Sequence, residues 1–122
     1  MNRSIFVSAF LAASAALSSE ALAHAHLVQT VPAANAIVQR APSELELRFS
    51  EAIEVTFSKI EIKGPDGSDV PVKTVAGASE DKTMLVVIPA VPLSAGTYQV
   101  FWRAVSVDTH ASEGNYGFTI QP

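Results

Sequence analysis

Apolar and polar residues alternate along most of this chain. In Glu44-Leu45-Glu46-Leu47-Arg48-Phe49 the apolar positions are 45, 47 and 49, and charges fill the gaps. A period of two puts all three apolar side chains on one face, the pattern of a half-buried strand. Lys59-Ile60-Glu61-Ile62-Lys63 repeats it, and Gly64-Pro65-Asp66-Gly67 follows as a turn signal. Pro71 between Val70 and Val72 marks an edge or irregular strand, because proline has no N–H to give to a ladder. Thr83 to Ile88 is a β-rich run closed by Pro89 and Pro92. Ser94-Ala95-Gly96 is a turn, and Thr97 to Val107 is a long strand with Tyr98, Val100, Trp102 and Ala104 on one face. Asn115 to Ile120 is the last strand, and Leu27-Val28 is a short one that ends before Pro32. A 3.6-residue apolar period is sustained nowhere, although Ala33 to Val38 has room for a short helical turn. Six or seven short strands with regular turns predict an all-β fold: a small Greek-key β-sandwich or barrel, Ig-like or cupredoxin-like. Alternation points Trp102 into the core between the sheets.

The first residues break this pattern. Arg3 is followed by an apolar run from Ile5 to Leu17, then by small residues ending in Ala21-Leu22-Ala23. That is the layout of a secretory signal peptide with an A-x-A cleavage site, and the run falls short of the ~20 residues that span a bilayer. Cleavage is expected between Ala23 and His24. This divides the chain into a signal peptide, residues 1–23, and one domain, residues 24–122. Ala23-His24-Ala25 also fits A-x-A and would leave His26 first, but the earlier site follows more directly on the apolar run. The processed chain is then expected outside the cytoplasm and not membrane-spanning. With no cysteine, export is not used to form disulfides, and thiolate metal sites are excluded. Twelve acidic residues against eight basic ones, with no basic run, argue against nucleic acid or anionic lipid as a partner.

Cleavage before His24 would create chemistry. A free α-amine and the imidazole of the same residue can close a chelate ring, and an α-amine with a pKa of ~7.7–8.0 is partly neutral near pH 7. Of the three histidines, His24 and His26 lie at this new terminus, and His110 lies in Asp108-Thr109-His110 after the longest strand. If that segment is extended, residues 108 and 110 project from one side about 6.5–7 Å apart and can converge on one ion. The His24 amine and imidazole, the His110 imidazole and the Asp108 carboxylate make a nitrogen-rich tetragonal donor set, which favours Cu(II). A rival mode uses His26: the amine, two backbone amide nitrogens and the third residue's imidazole also hold Cu(II), without Asp108 or His110. Ser106, Asp108 and His110 are triad residue types too, but all sit on one strand end and no G-x-S-x-G elbow is present.

The chain also resembles a known family. His24-Ala25-His26-Leu27-Val28 running to Pro32-Ala33, Leu45-Glu46-Leu47-Arg48-Phe49-Ser50-Glu51, Leu93-Ser94-Ala95-Gly96-Thr97-Tyr98, and Trp102-Arg103-Ala104-Val105-Ser106-Val107-Asp108-Thr109-His110 with Gly114 and Phe118 are similar to the CopC copper-resistance family. The resemblance covers the whole processed chain. It implies a periplasmic β-sandwich that binds one Cu(II) per chain through His24, Asp108 and His110. It implies that Glu51 stands behind the ligands and orients them, and leaves His26 a neighbour of the ion or an alternative ligand. It also implies a role as copper carrier or buffer that passes copper to a CopD-like inner-membrane transporter. Some members carry a methionine-rich loop for Cu(I), but the matching stretch here, Asp66 to Asp81, has no methionine. Two other readings compete. One is a histidine-brace copper oxidase or monooxygenase-like enzyme, which shares an N-terminal histidine at copper. The other is a metal-free Ig-like module.

Overall fold

The computed structural model describes residues 24–122; the expected signal segment lies outside the described residues. Nine strands form two sheets: β1 (Leu27–Val31), β2 (Ile37–Val38), β3 (Leu45–Phe49), β4 (Lys59–Lys63), β5 (Asp69–Val70), β6 (Val72–Ala78), β7 (Asp81–Pro89), β8 (Gly96–Val105) and β9 (Ala111–Ile120). One sheet runs β1-β3-β7-β6 and the other β2-β9-β8-β4-β5. All pairs are antiparallel except β2 with β9. Neighbours far apart in sequence, β3 with β7 and β4 with β8, supply the crossovers of a Greek-key sandwich.

The alternation fixes the core. Leu45, Leu47 and Phe49 of β3 face Tyr98, Val100, Trp102 and Ala104 of β8 across the sandwich, with Tyr116, Phe118 and Ile120 of β9 beside them. Trp102 meets Phe49 edge-on, with ring centroids 5.3 Å apart, a favoured aromatic geometry. Gly114 lies opposite Trp102 on β9, and a Cβ there would come within 2.7 Å of the indole. This gives the glycine of the Trp-to-Gly motif its reason: the indole occupies the space of a side chain.

Two local expectations change, and one is refined. Ala33 to Val38 holds a turn, with Ala36 N–H on the Ala33 carbonyl, and then β2 rather than a helical turn. Asn35 takes a left-handed φ of 67° there, which asparagine tolerates better than most residues. The edge strand expected around Pro71 is two: Pro71 separates β5, at the edge of one sheet, from β6, at the edge of the other. The long strand from Thr97 ends at Val105, not Val107. Among the described residues no helix is long and apolar enough to cross a membrane.

Candidate metal centre

The site lies where the leading end of β1 meets the β8–β9 hairpin, so each sheet contributes one histidine. The β1–β3 ladder continues past Leu27: Ser50 N–H donates to the His26 carbonyl at 2.8 Å, and His26 N–H donates to Ser50 Oγ at 2.9 Å. Ala25 is fully buried, and its carbonyl accepts a hydrogen bond from Ser112 Oγ of β9 at 2.5 Å. One sheet thus holds His26 and the other holds Ala25. His24, just before them, is set over His110 with ring centroids 5.4 Å apart and planes inclined at 43°.

The other half is a hairpin loop, and this revises the extended Asp-x-His segment. Ser106 N–H donates to the His110 carbonyl at 2.9 Å and Thr109 N–H to the Ser106 carbonyl at 2.8 Å. Thr109 is left-handed, with φ 74°. This is a three-residue loop built on a turn and closed by a left-handed residue. Ile53 bridges Ser106, while Val107 N–H reaches the Ala52 carbonyl and Glu54 N–H the Val105 carbonyl, so the loop is braced from the side. Asp108 and His110 still meet. Asp108 Oδ1 accepts the Ser106 hydroxyl and lies 3.3 Å from His110 Nδ1. The Ser106 hydroxyl, with His110 behind it, holds the Asp108 carboxyl below the ordinary carboxylate range.

These contacts suit a metal. With a metal–imidazole bond of about 2 Å, two rings sharing an ion have centroids no more than about 6 Å apart; His24 and His110 satisfy this. Asp108 Oδ1 and His110 Nδ1, 3.3 Å apart, are spaced so that both can meet one ion at about 2 Å. Among the described residues no three His, Asp or Glu side chains close into a ready cage, so the histidine pair is the nucleus of the site. His26 is exposed and held by its backbone, and Glu51, half-buried, takes no part in the hydrogen bonds of Asp108 and His110. Nor does Ser106 face an imidazole nitrogen. Its hydroxyl goes to Asp108 and toward the His110 carbonyl, the wrong wiring for a hydrolytic triad.

A CopC domain model matches residues 27–121. The chain belongs to the CopC family. Copper resistance protein C of Escherichia coli is 44% identical over 107 residues, covering 83% of this chain and 84% of that protein. Copper resistance protein C of Pseudomonas syringae pv. tomato is 42% identical, covering 99% and 98%. The crystal structure of PcoC, a methionine-rich copper resistance protein from Escherichia coli, superposes with a TM-score of 0.72 at 42% identity, covering 81% of this chain and all of that one. Within this CopC frame, three serines stand out that the motif alone does not single out as site builders: Ser50, Ser106 and Ser112. Only Ser106 has a sequence signal. It continues the inward series 98, 100, 102, 104, where a buried hydroxyl must find a partner.

Proposed function

We propose that this protein is a periplasmic Cu(II) carrier or buffer. Removal of residues 1–23 frees the His24 amine. That amine and the imidazoles of His24 and His110 supply three nitrogens, and Asp108, beside the His110 ring, offers an oxygen to the same ion. One observation carries the reading: the His24 and His110 rings, from opposite ends of the domain, lie 5.4 Å apart with Asp108 against the second. The copper-resistance names of the relatives agree with it.

The donor set supports Cu(II) over Cu(I). Nitrogen and carboxylate oxygen suit the cupric ion, whereas Cu(I) seeks sulfur. In the domain, residues 24–122, Met84 is the one methionine. It sits in β7 opposite Arg48, on the four-stranded sheet. PcoC is a methionine-rich copper resistance protein; this domain, with one methionine, offers Cu(I) little sulfur. A carboxylate beside the copper ligands also crowds the position an oxidase keeps open for oxygen, which favours carriage over catalysis. Transfer to a CopD-like inner-membrane transporter completes the role.

Titration of the processed chain is expected to give one Cu(II) per chain. D108A/H110A is expected to weaken binding by more than about 100-fold, beyond what loss of an orienting partner alone costs. Unchanged affinity in that variant would sink the reading.

A further inference from the structure

The segment His24-Ala25-His26 offers a divalent ion a second berth, made of the terminal amine, the amide nitrogens of residues 25 and 26, and the His26 imidazole. The folded chain withholds it. In that chelate both amide protons are replaced by metal bonds and all four nitrogens turn to one centre in one plane. Here His26 N–H is already spent on Ser50 Oγ at 2.9 Å, and the His26 carbonyl accepts Ser50 N–H at 2.8 Å. Ala25 is fully buried with its carbonyl on Ser112 Oγ at 2.5 Å. Forming it would pull Ala25 from the core and break contacts to both sheets.

We propose that Ser50 and Ser112 are specificity-determining residues: together they close the amino-terminal tripeptide chelate, so that a cupric ion is left the His24–His110 site and Ni(II) is refused. Ni(II) is the ion most affected, because square-planar nitrogen coordination is what such a peptide offers it, and it ranks below Cu(II) at any ordinary nitrogen and oxygen site. The proposal rests on the reading above, in which the processed chain starts at His24 and uses His110.

The test compares the processed wild-type chain with S50A/S112A, each titrated with Ni(II) and with Cu(II) near neutral pH and followed by visible absorption and electron paramagnetic resonance. Wild type is expected to show no square-planar Ni(II) band and a Cu(II) spectrum that changes on His110→Ala. S50A/S112A is expected to gain the Ni(II) band, with Ni(II) affinity up by about tenfold or more for the two lost hydrogen bonds. Its Cu(II) absorption should move to shorter wavelength, toward four-nitrogen coordination. Without metal, the His26 amide should exchange slowly in wild type and fast in the variant, and S50T/S112A, which keeps the hydroxyl at 50, should restore part of the protection. If the double variant does not fold, S50A and S112A singly should each show a smaller Ni(II) gain. Ni(II) and Cu(II) spectra in the folded variants identical to wild type, with wild-type copper still dependent on His110, would overturn the serine assignment and leave the copper site standing. A wild-type copper spectrum indifferent to His110→Ala would overturn the site itself, and a four-nitrogen signature in that spectrum would overturn both.

Discussion

At the residue scale, the hairpin loop holds Thr109 where β-branched side chains rarely go. Its φ of 74° is left-handed, a region that costs an ordinary residue roughly 1–2 kcal/mol. The loop tolerates it because both neighbours are fixed: Asp108 by Ser106, and His110 by Ser106 N–H on its carbonyl. Thr109→Asn, which accepts this conformation more readily, is expected to raise the stability of the metal-free chain by about 0.5–1 kcal/mol in urea unfolding. An unchanged or lowered midpoint would mean that the Thr109 hydroxyl, which donates to the Asp108 carbonyl, is worth as much as the strain. The motif makes Asp108 and His110 visible as a pair. It does not show that Ser106 aims the carboxylate, since the hydrogen bond depends on a turn that two-residue alternation does not predict.

At the element scale, the Trp102–Gly114 pair locks β8 to β9 just beyond the loop that carries His110. A methyl group at 114 would collide with the indole, and overpacking of this kind costs about 1–3 kcal/mol. Gly114→Ala is therefore expected to lower the melting temperature and to disturb copper binding through the hairpin; a fully stable G114A chain would show that Trp102 has another resting place. In the opposite sheet, Asp81 at the start of β7 accepts hydrogen bonds from the Thr83 hydroxyl, the Thr83 N–H and Arg48. Those contacts, led by the Thr83 hydroxyl, hold its pKa at about 2 against an ordinary 3.8. A depressed carboxylate stabilises the fold above its unfolded pKa, and the contribution disappears as pH falls through the folded one. Wild type should thus lose stability between about pH 4 and 2, and Asp81→Asn should flatten that slope in circular dichroism melts. Legibility differs between the strands. β3, β4 and β8 were plain from their charged or polar alternation, whereas β2 and β5 have two residues each and no period to detect. Pro71 marks only the start of β6; Val72–Ala78 has Lys73 as its one charge and a register that shifts at both ends, so its alternation is weak.

At the scale of the whole molecule, the proposed metal centre joins the two sheets, so copper should act as a clamp on the sandwich. An ion that binds only the folded chain stabilises it by about 2.7 kcal/mol at 100 times the dissociation constant. For a domain of roughly 100 residues that is a rise in melting temperature of about 10–20 °C. Scanning calorimetry of the processed chain with and without Cu(II) measures it, and an unmoved transition would count for a metal-free module.

The residues themselves determined which side chains enter the core, which donors exist and that no sulfur chemistry is open to the domain beyond Met84, because a two-residue period and an inventory of functional groups are local properties. The tertiary structure decided that position 24 meets position 110, through the non-local β1–β3 register and the Ser112 bridge between sheets. It also sets the terms of competition between the two copper modes that the linear chain leaves open. The amide nitrogens of a free tripeptide are available to a metal, whereas here the His26 N–H already donates to Ser50.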